Sequence, residues 1–100
     1  MLAFIRENVP EEELLAQMAE ESIELSHAAL KLRRVIDGKN PTPVRLSEAF
    51  ANFEEEIADV LLCLETLGYG MQELTRYRAM MDAKLERWGG RLKEVQEGGL

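Results

Sequence analysis

The sequence has little cysteine, no long apolar run and no export signal, and each shortage excludes a class of protein. Cys63 is the only cysteine among the 100 residues, so the chain has neither a disulfide framework nor a second thiol for a zinc site. The longest apolar stretch is far too short to cross a bilayer. The opening residues MLAFIREN lack the basic start, long apolar centre and cleavage site of a secretory signal. We therefore expect a cytoplasmic protein with a reduced, buried Cys63 and no membrane partner.

Basic residues are also in the minority, and their distribution is uneven. The formal net charge is -7, which argues against a nucleic-acid polymer as partner, because phosphate backbones call for a basic surface. Residues 11–24 and 48–65 each contain six acids and no base, whereas residues 76–93 contain six bases and two acids. We therefore expect two acidic segments and one basic segment in the fold.

Apolar and charged residues are both abundant, in the proportions that are typical of folded proteins. Apolar residues make up 46% of the chain and charged residues 31%, which argues against disorder. A chain this short forms one domain and leaves much apolar surface uncovered unless it associates with another molecule. We expect a single domain over residues 1–100, with its core over about residues 11–92, that forms a homo-oligomer.

Helix signals are strong at both ends of a first long helix. Pro10 and the glutamates at 11–13 suit an opening turn, because proline lacks the amide that is unpaired there and acids complement the helix dipole. The helix should run to about residue 37. Gly38 can cap it, and the segment 39–43, with two prolines, cannot continue it. This segment is the predicted loop between the first two long helices.

Two further long helices complete the predicted all-α fold. Ser47 is a candidate N-cap for a second helix that runs to about residue 67, and Gly68 and Gly70 mark its end. A third helix is predicted over residues 71–88, where Gly89–Gly90 interrupts or ends it. The first two helices should form an antiparallel hairpin that the third closes into a bundle. A short helix before residue 10 could pack Leu2, Phe4 and Ile5 onto the bundle, and residues 97–100 should fray.

Each of the first two long helices has an apolar stripe that a carboxylate interrupts. A spacing of three or four residues defines the inward positions, and Glu21 and Glu56 occupy one such position each. Glu24 and Asp59 follow them by three residues, about one helical turn. Asp59 stands in an apolar run, residues 57–64, most of whose surface we expect to be buried. The other inward residues are Leu14, Met18, Leu25, Ala28, Leu32 and Val35 on the first helix and Ala49, Phe53, Val60, Cys63 and Leu67 on the second.

These four carboxylates predict a metal site. Buried carboxylates that lie close together repel one another, and this repulsion raises their pKa values. A divalent cation removes both the repulsion and the cost of burial. Oxygen ligands without histidine or thiolate suit Mg²⁺, with Mn²⁺ as a substitute.

The same residues resemble a known motif. The segments Glu20-Glu21-Ser22-Ile23-Glu24-Leu25 and Glu55-Glu56-Ile57-Ala58-Asp59-Val60-Leu61 are similar to the EExxE and ExxD motifs of MazG-like members of the all-α nucleoside triphosphate pyrophosphohydrolase superfamily. The resemblance covers about residues 14–88. Two features depart from the family pattern: the spacer between the motifs is longer than in many relatives, and Trp88 stands where relatives carry asparagine four residues after a lysine.

The resemblance implies a fold, an activity and roles for particular residues. It implies an oligomeric all-α bundle, a homodimer or homotetramer, that cleaves a nucleoside triphosphate into a monophosphate and pyrophosphate. Glu21, Glu24, Glu56 and Asp59 would hold the metal and act in catalysis, with Glu20 acting through a hydrogen bond. Lys84, Arg87 and Arg91 are candidates for holding the substrate phosphates, Lys84 and Arg91 from one face if the third helix continues through the glycines.

Three other interpretations compete with this one. The stripes could form only an oligomer interface, with the acids in salt bridges, in a non-catalytic assembly module that would not respond to metal. A phosphoribosyl-ATP pyrophosphohydrolase of the same superfamily would share the site. A di-iron protein is disfavoured, because His27 follows Glu24 with the spacing of a Glu-x-x-His pair but a second such pair is missing.

Overall fold

The computed structural model describes residues 1–39 and 44–98, and these residues form helices with no strand. The helices are α1 (Leu2–Asn8), α2 (Glu11–Ile36), α3 (Leu46–Leu67) and α4 (Leu74–Glu97), with a short 3₁₀ turn at Met71–Glu73. The all-α prediction is therefore confirmed. The chain divides into two compact units, Met1–Gly70 and Met71–Leu100, so the closing of a bundle by the last helix stays a prediction. Part of the predicted loop at 39–43 lies outside the described residues.

The predicted ends of α2 and α3 are confirmed, and both depend on a glycine. Gly38 and Gly68 have φ angles of 75° and 86°, a left-handed conformation that a side chain disfavours. The amide of Lys39 donates to the carbonyl of Arg34, and the amide of Tyr69 donates to the carbonyl of Leu64. These bonds satisfy carbonyl groups that the end of a helix leaves unpaired.

Three predicted helix boundaries are wrong: the start of α3 and both ends of α4. Helix α3 is capped by Arg45, whose backbone is extended, so Ser47 lies inside the first turn and makes no capping bond. Helix α4 begins at Leu74 and does not end at Trp88 but continues through Gly89–Gly90 to Glu97. Each glycine costs about 1 kcal/mol relative to alanine in a helix, and the good helix formers on both sides offset that cost.

Helices α2 and α3 pack as the predicted antiparallel hairpin. Residues early in α2 lie beside residues late in α3, since Leu14, Gln17 and Glu21 line one pocket together with Thr66, Cys63 and Asp59. All predicted inward residues are buried or half-buried. The most deeply buried are Leu14, Ala28, Leu32, Ala49 and Cys63. The interior is therefore a narrow seam between two helices.

The apolar run in α3 is only partly buried, so the prediction for its surface is wrong. Leu61 and Leu62 are 48% and 57% exposed, whereas Asp59 and Val60 are half-buried. The reason is geometrical, because α3 turns one stripe toward α2 and leaves the rest of an all-round apolar run uncovered. An uncovered apolar surface of this kind is typical of short chains.

Helix α1 exists and is tied to the far end of α3. The Nε of Arg6 donates to the carbonyl oxygen of Thr66 at 3.0 Å, and its Nη2 donates to the carbonyl oxygen of Glu65. A cation at the C-terminal carbonyls of a helix also complements the helix dipole. Leu2 and Ile5 are half-buried as expected, but Phe4 is 62% exposed, so the prediction for that residue is wrong.

None of the described helices combines the length and apolar character that a membrane span requires.

Candidate metal centre

Three of the predicted carboxylates meet between α2 and α3. Glu21, Glu56 and Asp59 each offer an oxygen, and these oxygens lie within 4.8 Å of one another. Glu56 and Asp59 are one turn apart on α3, and the antiparallel packing of α2 brings Glu21 against them. All three side chains are half-buried. Two helices thus place three negative charges in one small, partly covered volume.

The other two predicted acids lie at the edge of this cluster. Glu24 is exposed and is not among the residues whose oxygens converge, although its charge still raises the pKa of Glu56. Its position one turn beyond Glu21 takes it to the side of the stripe and toward solvent. Glu20 is also exposed. The structure therefore assembles three of the four predicted ligands and leaves Glu24 beside them.

The cluster has an electrostatic signature. Partial burial raises the pKa of Glu56, and repulsion from Asp59 and Glu21, with smaller contributions from Glu24 and Glu55, raises it further. The pKa of Cys63 is raised too, first by burial and then by the charges of Glu21 and Asp59. The charge-dependent part of each shift comes from the neighbouring carboxylates, and a divalent cation at the cluster would oppose it. Cys63 is a free, buried cysteine, as expected.

A pocket of about 150 Å³ opens beside two of the carboxylates. Glu21 and Asp59 lie on its wall, and most of its remaining surface is apolar. The hydroxyl of Thr66 donates to the carbonyl oxygen of Cys63 at 2.7 Å, so its proton is already engaged. The full lining is Ile5, Val9, Leu14, Gln17, Glu21, Asp59, Leu62, Cys63 and Thr66.

Sequence reasoning missed the part that α1 and its neighbours play in this pocket. Ile5 and Val9 form one wall, and Arg6 holds that wall against the end of α3. A signal was present for Gln17, which precedes Glu21 by four residues and so shares its helix face. No pattern in the sequence pointed to Arg6, because its partners are backbone carbonyls about 60 positions away.

The cluster is more widely spaced than a magnesium site. Ligand oxygens at about 2.1 Å from an octahedral ion lie about 3 Å apart when adjacent and about 4.2 Å apart when opposite. The observed upper limit of 4.8 Å exceeds the larger value, so the three side chains would have to move closer together to hold Mg²⁺. Three carboxylates also leave octahedral positions for water and phosphate, as Mg²⁺ sites usually do.

The predicted phosphate-binding residues share one face of α4. Lys84, Arg87 and Arg91 line a shallow groove together with Trp88, and all four are exposed. Because α4 continues through Gly89–Gly90, the condition for Lys84 and Arg91 to share a face is met. Their role in phosphate binding stays a prediction.

Comparison with protein-family models, with curated proteins and with solved structures finds no match for the chain. The resemblance to the MazG-like pattern therefore stays a prediction from the two carboxylate motifs.

Proposed function

We propose that the chain is a metal-dependent nucleotide pyrophosphohydrolase, which cleaves a ribo- or deoxyribonucleoside triphosphate into the monophosphate and pyrophosphate. One observation carries the proposal. Glu21, Glu56 and Asp59, from two different helices, bring oxygens within 4.8 Å of one another on an otherwise apolar seam. Such a grouping costs stability in a metal-free protein, and it is useful to a protein that binds a hard divalent cation.

Each part of such a site can be assigned to a described side chain. Glu21, Glu56 and Asp59 would hold Mg²⁺ or Mn²⁺, and the ion would neutralise negative charge on the phosphate oxygens during hydrolysis. Glu24 lies beside the cluster and is exposed, which suits a side chain that accepts a proton from the attacking water. Glu20 is the second candidate for that role.

The proposed hydrolysis breaks one phosphoanhydride bond of the substrate. Water attacks a phosphorus atom, the bond to the bridging oxygen breaks, and the pyrophosphate group leaves with that oxygen. The guanidinium and ammonium groups of Lys84, Arg87 and Arg91 suit the phosphate tail, because arginine can bind phosphate through two parallel hydrogen bonds.

The decisive experiment measures pyrophosphate release from a panel of nucleoside triphosphates and phosphoribosyl-ATP, with Mg²⁺, with Mn²⁺ and with chelator. We expect metal-dependent release, with an equal amount of monophosphate, and we expect Glu56→Gln to abolish it. Glu13→Gln is the matched control, because Glu13 is an exposed acid in the first turn of α2. Preference for phosphoribosyl-ATP would assign the chain to that activity. No release under any condition would overturn the proposal.

A non-catalytic assembly module is the second candidate function. It is favoured by the apolar surface that α3 leaves uncovered, in particular Leu61 and Leu62. A pure assembly module predicts no stabilisation by Mg²⁺ or Mn²⁺ and no hydrolysis, although the protein would still associate. Thermal denaturation with and without metal therefore separates the two functions.

A further inference from the structure

Three basic side chains form a stripe along one face of α4. Lys84, Arg87 and Arg91 follow one another at spacings of three and four residues, so each is a neighbour of the next on the helix surface. All three are exposed, and together with Trp88 they line one shallow groove, which we call the α4 groove. The stripe extends over about 10 Å of the helix axis.

The acids of α4 do not neutralise this stripe. Asp82 and Glu86 each lie two residues from Lys84, and two residues turn a helix by about 200°, so both project from the opposite side. Glu94 approaches the edge of the stripe, three residues after Arg91, but among the described residues no acid forms an ion pair with any of the three bases. Like charges at this spacing destabilise a helix. An anionic ligand would remove that repulsion.

An aromatic ring stands in the same groove. Trp88 is the only tryptophan in the chain, and its side chain is 67% exposed, although tryptophan is highly buried on average. Its indole ring has a flat face on which a nucleic-acid base of any kind can stack. The α4 groove thus combines cations that suit an anion with a surface that suits a planar ring.

A nucleotide has both of these chemical features. Arginine binds phosphate through two parallel hydrogen bonds and lysine binds it as a compact charge, while stacking holds the base. The groove has a volume of about 410 Å³, within the range of about 300–1,000 Å³ for small-molecule sites, whereas the pocket beside the carboxylate cluster, at about 150 Å³, is below it. A single aromatic ring accommodates a single base, which favours a mononucleotide over a strand.

We propose that the α4 groove binds a nucleotide, with the base stacked on Trp88 and the phosphate chain held by Lys84, Arg87 and Arg91. This goes beyond the proposed function in two respects: Trp88 recognises the base, and binding on α4 alone requires neither a metal ion nor hydrolysis. Because stacking strengthens with ring area, purine nucleotides should bind more tightly than pyrimidine nucleotides. Adenine and guanine should bind similarly, because stacking does not read the hydrogen-bonding groups of a base.

The first test follows the fluorescence of Trp88 while ATP is added to the full chain in the presence of chelator. Since this is the only tryptophan, its emission reports on the groove. We expect saturable quenching, and calorimetry should give the same Kd. Tripolyphosphate, which lacks the base, should bind about 5- to 150-fold more weakly, the range expected for the loss of one stacked base. No binding of ATP, or equal affinity for tripolyphosphate, would overturn the proposal.

Variants separate the stacking from the charges, with calorimetry as the measurement. Trp88→Leu should weaken ATP by about 5- to 150-fold and leave tripolyphosphate unchanged, which also shows that the variant is folded, whereas Trp88→Phe should keep most of the affinity for ATP. Lys84→Gln should weaken both ligands by about 2- to 10-fold. The matched control is Lys93→Gln, because Lys93 is exposed and lies nine residues, or about two and a half turns, after Lys84. Unchanged ATP affinity in Trp88→Leu, or equal effects of the two lysine variants, would contradict the proposal.

Failure of this site and failure of the proposed function give different results. Glu56→Gln, which should abolish hydrolysis, should bind ATP in chelator as the wild type does, because Glu56 lies on α3 and the groove lies on α4. Hydrolysis of ATP without metal-free binding would overturn only the α4 groove. Metal-free binding without hydrolysis would overturn only the pyrophosphohydrolase activity. Tighter binding of a single-stranded oligonucleotide than of ATP would overturn the assignment to a mononucleotide.

Discussion

Replacing Asp59 by asparagine removes one of the three charges that converge between α2 and α3 while it preserves the size of the side chain. In the metal-free protein the change relieves repulsion with Glu21 and Glu56, whose oxygens lie within 4.8 Å. The metal-free variant should therefore melt at a higher temperature than the metal-free wild type. In the presence of Mg²⁺ the order should reverse, because the variant would lack one of the three proposed ligands.

The size of the reversal follows from binding linkage. Loss of a residue that only orients a metal ligand already costs about 10–100-fold in metal affinity, so loss of a ligand should cost at least about 100-fold. At a Mg²⁺ concentration of about 100 times the wild-type Kd, binding stabilises the wild type by about 2.7 kcal/mol and the variant by about 0.4 kcal/mol. For a domain of this size these values correspond to rises in Tm of about 11–22 °C and about 2–3 °C.

The assay is thermal denaturation followed by circular dichroism, with Mg²⁺ and with chelator. Asp82→Asn is the control, because Asp82 is an exposed aspartate on α4 that does not belong to the cluster. It should respond to Mg²⁺ as the wild type does. Equal stabilisation of the wild type and Asp59→Asn by Mg²⁺ would show that Asp59 is not a ligand. No stabilisation of the wild type by Mg²⁺ would contradict the proposed metal site.

Three other predictions follow from the described residues. The pKa of Glu56 is raised in the folded state, so folding favours its protonated form. Its contribution to the stability of the metal-free protein is therefore present at low pH and is lost as pH rises through the raised pKa. Tm measured against pH with chelator should show this fall, and Glu56→Gln should lessen it. Leu32→Ala should lower the free energy of unfolding, measured in urea, by about 2–4 kcal/mol, since Leu32 is 7% exposed. The control Leu30→Ala, at a site that is 49% exposed, should lower it by about 0.5 kcal/mol or less. Equal losses would contradict the described core. Gly68→Ala should destabilise the hairpin by about 1 kcal/mol because Gly68 has a positive φ, and urea unfolding measures this loss. Gly90→Ala should stabilise α4 by about 0.5–1 kcal/mol, because an added Cβ meets no atom within 4 Å, and the helicity of the protein measures this gain.

The predictions that succeeded depend on short-range geometry. Leu14, Ala28 and Cys63 could be placed inward because a helix repeats every 3.6 residues, whatever lies opposite it. Gly38 and Gly68 could be placed at helix ends because glycine adopts the left-handed conformation at little cost. Neither inference needed the position of another helix.

The structure differs from the expectations where they depend on information that a local pattern lacks. Glu24 follows Glu21 by the same three residues that separate Asp59 from Glu56, yet it is exposed, because the rotation of α2 about its own axis decides which of two neighbours faces α3. Gly89–Gly90 was a candidate end for the last helix, but helix formation is cooperative and good helix formers beyond the pair extend α4 to Glu97. The exposure of Leu62 could not be known either, since apolarity does not say which molecule covers a surface.

The attachment of α1 to the end of α3 links the stability of this short helix to that of the hairpin. A helix of seven residues has no independent stability in water, so α1 forms only while Arg6 and Ile5 have the end of α3 to bind. Val9 and Pro10 join α1 directly to α2, which gives a high effective concentration and lets a few contacts suffice. Helix α1 therefore behaves as a tethered ligand of the hairpin, and hydrogen exchange in residues 2–8 should be an early indicator that α2 and α3 have begun to separate.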